Sequence, residues 1–218
     1  MPGKNLRLLQ GKPLIAHTIE QARRSGLFDA VAVSSDGPEI LEVARRSGAD
    51  VLVTRPAEMA SDTAPKAPAI LHCLLAAEGE LGRQFPVFAD LDATSPLRTP
   101  QDIQGAVSLL ESRGVSNVIT GAPAHRSPYF NLVELDGRGV ARLSKPGADV
   151  VRRQDAPRCY DMNASIYVWR RDAVLAAPAV FYNDTRLFEM PEERSTDIDS
   201  ALDWEIVQLL MTRQERVA

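Results

Sequence analysis

The chain has 218 residues, 44% of them apolar and 25% charged, with a formal net charge of −4. That size and balance suit one large folded domain, or one domain with a subdomain, whose core needs no disulfide staples. No broad cationic face follows from that balance, no apolar run reaches the ~20 residues of a membrane helix, and the first residues lack a secretory apolar stretch, so a cytoplasmic protein whose main partner is not nucleic acid is expected, with a small basic pocket still allowed.

Pro13 opens a helix through about Arg24, with Leu14, Ile15, Ile19 and Ala22 near helical spacing and Gly26 at its end. Residues 30–34 read as a buried strand, 38–46 as a second helix closed by Gly48, and 50–54 as a second strand. Residues 65–80 are expected to be mostly helical. Residues 85–91 form a third strand that runs into the acidic turn Asp90-Leu91-Asp92. Thr99 is placed to cap the next helix and Pro100 to start it, with Gly114 closing it before a fourth strand at 115–120.

Strands alternating with helices argue for an α/β fold with a mostly parallel sheet and helices on both faces. Such sheets bind ligands beyond the carboxyl ends of their strands, which singles out 35–37, 55–65 and 90–98. Between about 122 and 161 the rhythm changes to a Pro-, Gly- and Arg-rich stretch with β-like pieces at 132–135 and 140–143, read as an inserted hairpin subdomain. The main pattern returns with a strand at 164–169, a short helix at 171–176, a β-like run at 180–188 and a final helix at 200–213.

Four segments carry candidate chemistry. Gly3, Lys4 and Asn5 precede a helix and suit either phosphate contact or a plain surface turn. The stretch RPAEMASDTA at 55–64 follows a strand and is dense in donors and acceptors for a nucleoside, although Ser61 or Asp62 would equally cap the next helix. Asp90 and Asp92 leave a buried strand, where a carboxylate must pair, accept hydrogen bonds or hold a cation; Arg98 either braces this loop or touches substrate. Asp197 and Asp199, two residues apart, face one way in an extended segment and suit Mg²⁺; the competing reading makes Asp199 a helix cap. Cys73 and Cys159 form no metal or redox pattern, and His17, His72 and His125 form no triad or zinc set.

Taken in order, PGKNL at 2–6, SSDG at 34–37, RPAEMASDTA at 55–64, TSPLRTP at 94–100, NASIY at 163–167 and STDIDSALD at 195–203 resemble the acylneuraminate cytidylyltransferases, the CMP-sialic acid synthetases. The resemblance spans nearly the whole chain. It implies a Rossmann-like nucleotidyltransferase that joins CTP to a nine-carbon 2-keto sugar acid, with Mg²⁺ as cofactor, a homodimer as the working form, and no nucleic-acid or membrane partner. The 122–161 subdomain would serve dimerisation and reach the partner's site.

Carried over by position, Lys4 meets the triphosphate and Asn5 the nucleotide. Arg55, Ser61, Asp62, Thr63 and Ala64 hold the nucleoside, Asp197 and Asp199 the metal, and Asp92 and Arg153 the sugar acid. Lys4, Asp197 and Asp199 are the implied catalytic set. The family begins with a strand and a loop resembling Ala-Arg-Gly-Gly-Ser-Lys-Gly, whereas this chain begins at PGKN, so a missing first strand and unpaired sheet edges are expected. Asp92 stands in place of a glutamine, Asp161 where a basic residue is common, and residues 128–131 where a lysine is typical. These departures point to a related acid, such as legionaminic or pseudaminic acid, in place of N-acetylneuraminate. The alternatives weighed are a cytidylyltransferase for an eight-carbon acid, of CMP-KDO type, and a catalytically inactive nucleotide-binding dimer.

Overall fold

A computed structural model gives the fold and describes residues 3–61, 63–145, 152 and 155–215. A turn of 3₁₀ helix at Lys4–Leu6 leads into a small hairpin, β1 (Leu8–Leu9) and β2 (Lys12–Pro13), whose two-residue turn places Gln10 and Gly11 at φ of 49° and 79°. The first helix, α1 (Leu14–Ser25), ends on Gly26 in the left-handed conformation, as its position required. Next come β3 (Ala32–Ser35), α2 (Pro38–Arg46), β4 (Val51–Thr54) and α3 (Lys66–Leu81). They are followed by β5 (Val87–Leu91) and α4 (Pro100–Arg113). Thr99 caps α4 in a capping box with Asp102, each side chain bonding the other's backbone N–H.

The chain then enters β6 (Asn117–Pro123), crosses a detached hairpin of β7 (Val133–Leu135) and β8 (Ala141–Leu143), and returns along β9 (Tyr160–Arg170). The last elements are α5 (Arg171–Ala176), β10 (Arg186–Glu189) and α6 (Ala201–Glu215). Both β6 and β9 run further than the sequence suggested, so the ends of the inserted segment belong to the main sheet. The expected strand at 180–188 shrinks to β10. Before it, Tyr182 N–H bonds Thr185 Oγ1, and Asp184 accepts from Ser116, which makes that stretch a turn.

The larger sheet has the order β10-β6-β9-β5, with β9 antiparallel to both neighbours, so its other three strands run one way. A separate pair, β3 and β4, is parallel. Helices cover both faces. Ile15 and Ile19 of α1 pack with Ala44 of α2 over one side of β3 and β4, while Ala77 of α3 packs with Val51 and Val53 on the other. Ile103, Ala106 and Leu110 of α4 seal the larger sheet against Val118, Ile166 and Val168. Each large apolar side chain so buried contributes about 2 kcal/mol.

The two sheets do not join. Among the described residues, no strand pairs with the second edge of β3 or of β5. Between them lies a cavity of about 640 Å³, walled by α1 (Ile15, Thr18, Ala22) and α3 (Ile70, Cys73, Ala77). This is where a strand would sit if the sheet were continuous. Cys73 lies partly buried in that wall, and burial pushes its thiol up to about 11, which disfavours the reactive thiolate.

Candidate active site

The cavity opens at the carboxyl ends of β3, β4 and β5, where Asn5, Ser35, Asp36, Arg55, Ser61, Ala64 and Asp92 line it. Four of the expected nucleotide residues, Asn5, Arg55, Ser61 and Ala64, therefore meet at one mouth. Arg55 is held in place by Ser34, donating from Nε to Oγ (3.2 Å) and from Nη2 to the carbonyl (2.8 Å). Ser61 Oγ lies 3.4 Å from Thr63 Oγ1, and Ala64 N–H bonds the Ser61 carbonyl, so this loop is folded on itself. Asp62 lies outside the described residues, as does Arg153. Asn5 Oδ1 is buried without a hydrogen-bond partner among the described residues. An unpaired buried acceptor is costly, and a donor on a ligand would relieve it.

Lys4 faces the other way. Its Nζ donates to the Ile198 carbonyl (2.7 Å) and to Asp199 Oδ1 (3.1 Å), and so ties the N-terminal turn to the acidic loop. Asp199 does not cap the last helix. Ser200 does: Asp203 N–H bonds Ser200 Oγ, and Asp203 Oδ2 accepts from Ser200 N–H and Oγ–H. Asp199 is thus left with its carboxylate exposed beside Lys4.

Asp197 is half-buried. Burial is the main force raising its carboxyl above the ordinary aspartate value, and the charges of Asp92 and Asp199 add to it, while the Thr94 hydroxyl and Lys4 oppose it. A carboxylate crowded by two others is one a cation would stabilise. Asp197 and Asp199 line a second cavity of about 400 Å³, with His125, Asp161, Asn163 and Glu192. His125 Nε2 is 2.8 Å from Glu192 Oε1 at its rim.

Asp92 lines the first cavity, and its charge acts on Asp197 in the second. Burial works to raise its carboxyl, but Lys66, at 3.2 Å, and hydrogen bonds from Thr94 outweigh it and hold it low. Lys66 also pairs with Asp90 (2.9 Å) and lies over the Tyr167 ring. Arg98 resolves as a brace. It is buried, donates to Gln21, Thr18 and the carbonyls of Asp92 and Ser165, and burial pulls it down to about 10.

Lys66 escaped sequence reasoning because it falls in the first turn of an expected helix. The available signal was its sign, since a cation at a helix N-terminus opposes the helix dipole.

A polar cavity mouth lined by Asn5, Arg55 and Ser61 and the carboxylates Asp197 and Asp199 lie at one end of an α/β sheet, with the half-buried Asp92 lining the first and acting by charge on Asp197. That is the layout of a nucleotidyltransferase, and comparison with known proteins narrows the class. The family model described as Cytidylyltransferase matches residues 1–212, and the chain belongs to that family. It is 43% identical over 209 residues to the CMP-N,N'-diacetyllegionaminic acid synthase of Campylobacter jejuni, covering 96% of this chain and 88% of that one. It is 42% identical over 208 residues to the post-translational flagellin modification protein B of Campylobacter coli, covering 95% and 88%. Its fold matches a solved CMP:2-keto-3-deoxy-manno-octonic acid synthetase complexed with CTP, with a TM-score of 0.69, 18% identity, and 98% and 93% coverage. The enzyme class expected from the sequence is thereby established, together with its Rossmann-like α/β fold. Among the described residues no helix is long and apolar enough to cross a membrane.

Proposed function

We propose that this cytidylyltransferase joins CTP to a nine-carbon 2-keto sugar acid bearing acylamino groups, of the diacetyllegionaminic type, releasing pyrophosphate and a CMP-sugar. The observation that carries the reading is the placement of Asp92, which lines the nucleotide cavity while its charge acts on Asp197 in the acidic one. A nucleotide held at Asn5, Arg55 and Ser61 would direct its phosphates toward Lys4. A sugar acid in the second cavity would then face the α-phosphate.

The anomeric hydroxyl attacks phosphorus in line, the new O–P bond forms, the bond to the β-phosphate oxygen breaks, and the hydroxyl proton leaves to a base. The low-held Asp92 is a weak proton acceptor, which favours an orienting role on the sugar for it. Asp197 and Asp199 suit Mg²⁺, which takes one or two carboxylates and completes its shell with phosphate oxygens and water. When bound, the ion neutralises charge on the phosphates and the leaving group.

Three further elements belong to the same reading. The β7–β8 hairpin and its flanks expose Phe130, Leu132, Val133, Leu135 and Val140, which supports a homodimer through the inserted segment. The free edges of β3 and β5 support an additional strand between them that leads into Gly3. In-frame upstream codons encoding an apolar strand and a Gly- and Lys-containing loop would establish it, and their absence would remove it. A cytoplasmic enzyme fits the use of CTP as substrate.

The test is pyrophosphate release from CTP and Mg²⁺ with a panel of sugar acids. Turnover is expected with N,N'-diacetyllegionaminic acid or a close relative. Exclusive turnover of N-acetylneuraminate, or of the eight-carbon acid, would refute the assignment.

A further inference from the structure

Opposite Thr120 of β6, the strand β9 carries an irregularity: Ile119 pairs with Tyr167 but Gly121 pairs with Met162, so residues 163–166 face one residue of β6. Ala164 takes up the slack at φ 52°, a conformation an alanine adopts only when its surroundings impose it. The result is that Asn163 points into the protein beneath the acidic cavity and is only 8% exposed.

Its amide is oriented by its partners. Oδ1 accepts from Thr120 Oγ1 (2.7 Å) and Ser165 N–H (3.2 Å), while Nδ2 donates to Ser195 Oγ (3.0 Å). The Ser195 hydroxyl in turn donates a hydrogen bond to the Pro191 carbonyl (2.8 Å). Two residues beyond Ser195 stands Asp197. Just past that, Ile198 is fully buried and its N–H bonds the Thr94 carbonyl (3.0 Å). The segment carrying Asp197 is therefore pinned on one side by Ile198 and on the other by Ser195. The same irregularity also holds Asp92, whose N–H bonds the Ser165 carbonyl (3.1 Å).

We infer that Asn163 is a positioning residue for the metal site: through Ser195 it fixes where Asp197 presents its carboxylate, while Ser165 fixes Asp92 across from it. Filling the space alone would call for an apolar side chain, because a buried amide is costly unless its bonds are made. Here they are made: Thr120 and Met190 (Sδ at 3.4 Å from Nδ2) anchor the amide to the sheet, while Ser195 and Ser165 connect it to the segments bearing Asp197 and Asp92. The inference rests on the reading of Asp197 as a metal ligand.

The variants are Asn163→Ala, Ser195→Ala, the pair combined, and Ser195→Thr, which keeps the hydroxyl. The readout is Mn²⁺ binding in the presence of CTP, followed by the paramagnetic resonance of the free ion, alongside metal-free CTP affinity by calorimetry. Each single alanine variant should weaken Mn²⁺ binding about tenfold, the scale of outer partners of metal ligands, with CTP affinity unchanged. The double variant should be no worse than the weaker single one, and Ser195→Thr should bind as the wild type does. Lowered thermal stability with Mn²⁺ affinity intact would overturn the inference. If Asn163→Ala fails to fold, the two Ser195 variants carry the same decision. A wild-type chain that binds CTP but no Mn²⁺ would instead remove the metal reading beneath it, and the inference with it.

Discussion

On the acidic side of the site Ser195 is bonded to Asn163, and Asp197 and Ile198 are bonded to Thr94, whereas on the nucleotide side Asn5 buries an oxygen with no partner among the described residues and β3 faces β5 across an open cavity. The first region is finished by the protein itself. Arg194 doubly bonds the buried Asp102 (2.9 Å each), Lys4 clamps the Ile198 carbonyl, and Asn163 reaches Ser195. The second has its arginine braced by Ser34 but leaves donors, acceptors and sheet edges for something else to complete. On the proposed placement of the substrates, the preformed acidic half would keep the attacking side rigid, and CTP would supply part of the order on its own side.

Substituting Asp197 should have the largest effect. Asp197→Asn should lower turnover roughly 10³-fold in a pyrophosphate-release assay, the scale of losing a principal electrostatic contact with the transferring phosphoryl group. Stability should move the opposite way. The folded carboxyl lies above its unfolded value, so its stabilising contribution is present at acid pH and lost as pH rises through the raised value. At neutral pH the charge is a cost that asparagine removes, so the metal-free melting temperature should rise. A fall would show that Asp197 is well accommodated without a cation.

Arg194→Ala probes the bracing itself. It removes the counter-charge of Asp102, which is 3% exposed and keeps its hydrogen bonds from Thr99, and should cost about 3 kcal/mol, or about 6–12 °C in melting temperature for a chain of this size. An unchanged melt would mean that the acidic half is not held from below.

Asn5→Leu tests the other region. Removing the unpaired oxygen should raise stability by about 1 kcal/mol while weakening CTP binding about tenfold, read by melting and calorimetry. Weaker CTP binding together with a loss of stability would mean that Asn5 is already satisfied in the free protein. The smallest effect is expected from Ala164→Gly, which relieves the left-handed backbone at the cost of a more flexible unfolded chain. A gain of about 0.5–1 kcal/mol should appear in a chemical denaturation curve.

Much of this was legible in the sequence because local rules and global fold agree. Gly26 and Gly114 terminate helices in the left-handed conformation, and Thr99-Pro100 starts one, where their chemistry predicted. The β1–β2 hairpin was missed because two-residue strands carry no period and Gln10 is an unusual residue at positive φ. Asp199 looked like a cap because both it and Ser200 are good caps. Only the Asp203 partner, on the next turn, decides for Ser200. The site's outer residues were hidden for a different reason. Lys66 and Asn163 act through pairings with Asp92 and Ser195 that the chain order does not reveal.

The most direct test of the account follows the anomeric oxygen. Diacetyllegionaminic acid labelled with ¹⁸O at its anomeric hydroxyl, incubated with CTP and Mg²⁺, should give a CMP-sugar whose phosphorus resonance shows the isotope shift of a labelled bridge, and unlabelled pyrophosphate. Label lost to water or found in pyrophosphate, or no CMP-sugar from a chain that binds both substrates, would contradict it.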